Sequence, residues 1–322
     1  MSYEYENERT KEKNKLLSPK LDVVFQILFG EVGSENITKD LLNTILDEKV
    51  EKVELNENIV LRKESLGEKM GIVDVLAKVN GKEYCNIEMQ VARQKDIIER
   101  ALYYWARIYT RGIKEGSSYN KLKRTIMVLI ADFELENLHD FGFHTKWVLG
   151  NEETGNVLTD VLELHIIEIP KMYKVKARDK DIKLIEWLHF LENPESKEVS
   201  SYMEKNNSMK NAKEKLNVMS EDDRIKRLAE LREKAILDEK EAAYTGYCEG
   251  LNKGLEDGRK KGLQEGKSEG RKEGRKEGIK EGIKEGIKEG VRTTARNMKK
   301  EGIDIETIMN VTSLSKEEIE EL

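Results

Sequence analysis

The chain has 322 residues, 38% of them hydrophobic and 37% charged, enough for one substantial core beside an elongated, solvated remainder. Two widely separated cysteines, Cys85 and Cys248, argue against a disulfide framework and fit the reducing cytoplasm; no run of about 18 apolar residues predicts a membrane span, and no apolar stretch near the N-terminus predicts a secretion signal. A formal net charge of −6 argues against non-specific coating of nucleic acid while leaving room for a locally basic cleft.

Leu21, Val24, Phe25, Leu28 and Phe29 recur at the spacing of one helix face just after Pro19, a residue tolerated in a first helical turn. A second helix is predicted over residues 36–46 from Ile37, Leu41, Leu42, Ile45 and Leu46. Residues 72–79 and 83–91 are rich in strand formers and flank Asn80 and Gly81, the strongest short hairpin signal. Residues 94–114 carry Ile97, Ala101, Tyr104, Trp105, Ile108 and Tyr109 at the spacing of a long amphipathic helix, with Gly112 and Gly116 closing it. The continuous apolar run at 125–131 predicts a strand buried on both faces. Residues 162–169 alternate as an edge or hairpin strand does, pairing with 143–149, and a helix follows over 181–191. The globular part is expected to close near Pro194.

Residues 195–245 are rich in Lys, Glu, Leu and Met at helical spacing and predict a helical connector. From Gly246 to Gly290 a glycine falls at every fourth residue, and the later tetrads settle into Arg/Ile-Lys-Glu-Gly. In a helix four residues turn roughly 400°, so these glycines trace a row that drifts about 40° per repeat. Each glycine costs about 1 kcal/mol relative to alanine, which makes an isolated helix marginal. Two readings follow: a flexible charged spacer, or a helix that orders by homo-oligomerisation along the seam of Gly278, Ile279, Gly282, Ile283, Gly286 and Ile287. Residues 291–322 return to ordinary apolar spacing and predict a small helical motif, with Ser315 and Glu318 forming a capping box. Its skeleton is that of a helix-turn-helix, but Glu317, Glu318, Glu320 and Glu321 on the last helix repel phosphates, so a packing or dimerisation bundle is the plainer expectation.

Asp74 on the first strand of the hairpin, and Glu88 and Gln90 two apart on the second, can converge on one face. Such an oxygen cluster suits a hard divalent cation, Mg²⁺ with Mn²⁺ as substitute, which can polarise a phosphoryl oxygen and activate water. An unpaired carboxylate between Val73 and Val75 is expensive to bury, and a metal offsets that cost. Lys95, Arg100 and Arg107 on the following helix are candidate contacts to nucleic-acid phosphates. His139, His144, His165 and His189 show no ligand spacing, and no phosphate-loop or nucleophile-elbow fingerprint appears.

Asp74-Val75, the Asn-Gly hairpin and Ile87-Glu-Met-Gln90 resemble the Asp…(Asp/Glu)-x-Lys active site of the PD-(D/E)XK nucleases. With Leu21-Asp-Val-Val-Phe-Gln-Ile-Leu-Phe-Gly30 and Tyr103-Tyr-Trp-Ala-Arg-Ile-Tyr109, the resemblance narrows to the Rpn family of recombination-promoting nucleases and transposases, over roughly residues 17–173. It implies an α/β restriction-endonuclease-like core with a mixed central sheet flanked by helices, followed by a long helical extension. It also implies metal ligation by Asp74 and Glu88, a catalytic set completed by Gln90 in the lysine position, and an accessory role for Asp22 on the first helix. Gln90 departs from the superfamily pattern, since an amide supplies neither a cation nor a base. Gln26, where lysine is common in the resembling motif, removes a phosphate contact.

The expected organisation is a nuclease-like domain at 17–194, a connector at 195–245, the glycine-repeat segment at 246–290 and a helical motif at 291–322. The expected function is divalent-metal-dependent DNA endonuclease activity in recombination or mobile-element biology. The alternative is a weak or inactive nuclease-fold scaffold that binds nucleic acid or a partner and oligomerises through its tail.

Overall fold

The computed structural model describes residues 16–55, 60–61, 71–111, 113, 115–174 and 181–322. The chain divides into two compact units, residues 1–241 and 242–322.

In the first unit, α1 (Asp22–Gly30) and α2 (Glu35–Ile45) bury the predicted apolar faces, including Phe25, Phe29, Leu41 and Leu42. Six strands form the main sheet in the order β1-β4-β5-β6-β8-β7: β1 (Val53–Leu55), β4 (Val75–Val79), β5 (Glu83–Gln90), β6 (Thr125–Ala131), β7 (His144–Gly150) and β8 (Val157–Glu168). β2 (Val60–Leu61) and β3 (Gly71–Ile72) pair separately. The β4–β5 hairpin closes through Asn80 and Gly81, both at positive φ, with Lys82 N donating to Val79 O at 3.0 Å. β5, β6 and β8 are parallel, and β6 at the centre is buried along its whole length. A strand covered on both faces needs no polar alternation, which is why its run is uninterrupted.

Three expectations need adjusting. The helix after the hairpin, α3 (Ile97–Tyr109), starts only where Ile97 is first buried, leaving Gln94 and Lys95 in the preceding turn; the expected end at Gly112 and Lys114 lies outside the described residues. β8 pairs with β7 as expected but is not an edge strand, because it also pairs with β6 and leaves β7 as the edge; the polar residues of its alternating run, Glu163, His165 and Glu168, are buried, and its more exposed half is residues 157–161. Burial also continues past Pro194. After α4 (Ile182–Glu192) come α5 (Lys197–Met203), α6 (Asn207–Glu221) and the start of α7 (Asp223–Lys300). Val199, Met209, Ala212, Leu216, Ala229 and Ile236 join the core formed by α1, α2, α4 and one sheet face. These apolar residues are thinly spread among charges, so composition hides them.

The opposite sheet face is covered by α3, whose Ile97, Ala101 and Ile108 pack with Leu76, Met127, Leu129, Leu164 and Ile166. On β5, Cys85, Ile87 and Met89 enter the first core. Strand alternation therefore turns Asn86, Glu88 and Gln90 toward the α3 side.

In the second unit the glycine-repeat residues are helical, within α7. The chain then forms α8 (Ile305–Thr312) and α9 (Lys316–Glu320) around Ala295, Ile308 and Ile319. The Ser315–Glu318 capping box forms as the spacing predicts. No helix among the described residues is long and apolar enough to cross a membrane.

Candidate active site

Asp74 does not lie within a strand ladder but in the bend where the chain leaves β3 for β4. Freed from the ladder, its backbone N–H donates to Glu88 Oε1 at 3.3 Å, and its Oδ2 accepts from Met89 N at 2.9 Å. Asn86 Nδ2 holds the same Glu88 oxygen at 2.9 Å. The other oxygen, Oε2, is buried without a hydrogen-bond partner among the described residues, 3.9 Å from Arg100 Nη2. Gly30, at the end of α1, permits this packing. A Cβ there would stand 3.3 Å from Asp74 O and 3.2 Å from Val75 Cγ2.

Burial, and then the charge of Glu88, push the Asp74 carboxyl well above the usual carboxylate range. Burial pushes Glu88 up to about 7, against the opposing pull of the Asn86 hydrogen bond and the Arg100 charge. Two acids that resist ionising side by side, one with an orphaned buried oxygen, are oxygen donors of the kind that could hold a hard divalent cation, although the described residues contain no cluster of three or more His, Cys, Asp or Glu side chains around them.

Gln90, half-buried, ends β5, and its carbonyl accepts from Asp132 N at 2.9 Å. Asp132 in turn pairs with Lys20 at 2.7 Å. Asp22 adds its charge to the field on Asp74 and is ion-paired at 2.6 Å with Arg232 of α7. Gln26 is hydrogen-bonded to Val73 O at 3.4 Å, bracing the turn into Asp74. Arg100 joins the carboxylates; Lys95 is exposed before α3, and Arg107 is half-buried seven residues beyond Arg100. Asn86, Arg232 and Gln94, which bonds Arg100, escaped the sequence reading. Asn86 shares the two-residue period of Glu88 and Gln90, the one signal that pointed to it; Arg232 carries none.

A second polar cluster occupies the far end of the sheet. Arg124 bridges Glu48 (3.0 Å), Glu83 (3.1 Å) and Glu163 (2.6 Å), and Glu163 also meets His165 (2.7 Å) and Lys146 (3.2 Å). Burial opposes ionisation of Glu163, but His165 and Arg124 hold its carboxyl at about 2. Its cations and acids satisfy one another, as in a structural network.

Residues 19–246 match the family model described as PD-(D/E)XK nuclease family transposase. The chain belongs to that family. Residues 288–322 match a second model, the Rpn/YhgA-like nuclease family C-terminal HTH domain, so the closing helices of this PD-(D/E)XK family member are similar to a helix-turn-helix. No match to the chain is found among curated proteins or among solved structures. PD-(D/E)XK nucleases generally use divalent metals, and the mixed sheet flanked by helices is the architecture expected of this family member.

Proposed function

We propose that this chain is a divalent-metal-dependent DNA endonuclease of the Rpn type, hydrolysing phosphodiester bonds with Asp74 and Glu88 holding Mg²⁺, or Mn²⁺ in its place. One observation carries the reading: a half-buried and a buried carboxylate, Asp74 and Glu88, joined through main-chain hydrogen bonds, with Glu88 Oε2 left unpartnered among the described residues. When bound, the ion neutralises phosphoryl charge and makes a water more acidic. The bend before β4 and the end of β5 fix the two carboxylates, Asn86 orients Glu88, and the Gln90 amide, both donor and acceptor, orients water or a phosphate oxygen. Asp22 adds negative charge as an accessory group. The nuclease and helix-turn-helix family matches support DNA as the polymer, and the transposase description supports a role in recombination or mobile-element biology. Glu317, Glu320 and Glu321 on the last helix favour the first unit as the place where the scissile phosphate is held. The two free cysteines fit the cytoplasm, and the exposed glycine-repeat helix fits homo-oligomerisation.

Gln90 favours a second reading, a weak or inactive nuclease fold that binds nucleic acid and acts as an oligomeric scaffold. Cleavage of supercoiled plasmid by the purified chain with Mg²⁺, Mn²⁺, Ca²⁺ or EDTA, beside Asp74→Ala, separates the two. Metal-dependent nicking lost in the variant supports the endonuclease. Absent cleavage with normal DNA affinity supports the scaffold.

A further inference from the structure

Gln90 leaves the end of β5 without the cation that the superfamily pattern puts there, yet a cation does stand at the carboxylates. Arg100, in the first turn of α3, brings Nη2 to 3.9 Å from Glu88 Oε2, the oxygen with no hydrogen-bond partner among the described residues. Its Nη1 donates to Gln94 Oε1, and its guanidinium lies over the Tyr104 ring, 5.5 Å from the centroid. Tyr104 is four residues further along the same helix, so ring and guanidinium share a face. These contacts fix the group from two sides while its side chain remains 31% exposed, against 4% for Glu88. A guanidinium has five N–H donors in a rigid fork that matches phosphate geometry, and among the described residues one of them hydrogen-bonds, to Gln94.

From this geometry we infer that Arg100 is a catalytic residue: its guanidinium contacts the scissile phosphate and supplies the positive charge that Gln90 cannot. The charge then comes from the helix that covers β5 rather than from β5 itself. This rests on the hydrolytic reading above. In that hydrolysis water oxygen bonds to phosphorus and one ester P–O bond breaks. One water proton ends on the leaving oxygen and the other on the new phosphate or in solvent. Arg100 transfers no proton; it stabilises the negative charge that builds on the phosphoryl oxygens. The same charge repels a divalent ion bound at Asp74 and Glu88, so Arg100 is not part of the metal-holding set. A cation that only neutralised Glu88 would have a different signature, because removing it would disturb the carboxylates and the ion together.

Two readouts on the full chain test this: single-turnover cleavage of supercoiled plasmid with Mn²⁺, and the rise in melting temperature on adding Mn²⁺ without DNA. Arg100→Gln is expected to slow cleavage by about 100-fold or more, the scale of losing one preorganised donor, while keeping or enlarging the Mn²⁺ shift. Adding Gln90→Lys to Arg100→Gln returns a cation from the strand and is expected to recover at least about tenfold. Three results overturn the inference: cleavage by Arg100→Gln within about threefold of the parent, loss of its Mn²⁺ shift, or a double variant no faster than Arg100→Gln. A parent chain that cleaves nothing with any divalent ion refutes the hydrolytic reading itself; with an active parent, the variants test Arg100 alone. Arg100→Lys, folded and partly active, shows that charge rather than the fold is what Arg100→Gln removes.

Discussion

Asp74 and Glu88 touch through the main chain: the Asp74 N–H donates to Glu88 Oε1 at 3.3 Å, while Met89 N, next to Glu88, donates to Asp74 Oδ2 at 2.9 Å. This interlock holds a half-buried and a buried acid together in a setting that favours their neutral forms. In Glu88→Gln the amide oxygen can still accept from Asn86 and Asp74 N, but no charge is buried. The ion-free variant should therefore unfold at the same or a higher denaturant concentration than the parent near pH 8. Its stabilisation by Mn²⁺ should vanish. Thermal or urea melts with and without Mn²⁺ measure both; a Glu88→Gln chain that keeps the full Mn²⁺ effect removes Glu88 from the ligand set.

The pH dependence has a defined sign. Glu88 is raised from 4.5 to about 7 in the fold, so its contribution to ion-free stability is full below its ordinary value and falls as pH climbs toward 7. Divalent ions need the ionised carboxylates, both of which are raised, so their apparent affinity rises with pH through about 7. The Mn²⁺-induced shift in melting temperature should be small near pH 6 and large near pH 8; an equal shift at both would place the ion elsewhere.

Arg232 and Asp22 meet at 2.6 Å with side chains 40% and 34% exposed, so the pair is solvent-screened. Arg232→Ala should cost less than about 1 kcal/mol of stability. Asp22 then acts uncompensated on the acidic pair, and Mn²⁺ should bind more tightly, whereas Asp22→Ala should weaken it, each by a few-fold as expected of a screened charge. Calorimetric titration of both variants reads the two directions, and shifts of the same sign contradict an accessory role for Asp22.

Arg124 is 12% exposed and anchors Glu163, itself 3% exposed. Arg124→Ala leaves that carboxylate with fewer partners in a buried position and should destabilise the domain by about 3–5 kcal/mol. Since Glu163 is depressed from 4.5 to about 2, its stabilisation is present above its ordinary value and is lost as pH falls toward 2. The parent should lose stability over that range and Arg124→Ala much less of it; urea melts at neutral and acidic pH check this.

A Cβ added at Gly278, Gly282 or Gly286 meets nothing within 4 Å in the chain. In a lone helix, changing all three to alanine should raise helix stability by about 1 kcal/mol each. If a second helix packs on the seam, the added methyls hold it off. Weaker association by sedimentation equilibrium, despite higher helicity, supports self-association of the tail; unchanged association argues for a spacer.

The sequence by itself determined the elements whose signals are local. Val24, Phe25, Leu28 and Phe29 fix a helix face, Asn80 and Gly81 fix a hairpin, and the unbroken 125–131 run fixes a buried strand, because period and turn chemistry act over a few residues. The hairpin also made Asp74, Glu88 and Gln90 neighbours on paper. Only the tertiary structure decided that Asp74 stands in a bend outside the ladder, that Asn86 and Arg100 complete the surroundings of Glu88, and that Arg232 reaches Asp22 from 210 residues away. It also decided that Met209, Ala212 and Leu216 belong to the core, although their charged neighbours read as a connector. Charge and burial at a site are sums over whatever elements pack together, and no local pattern in a chain records which distant side chain will supply the missing partner.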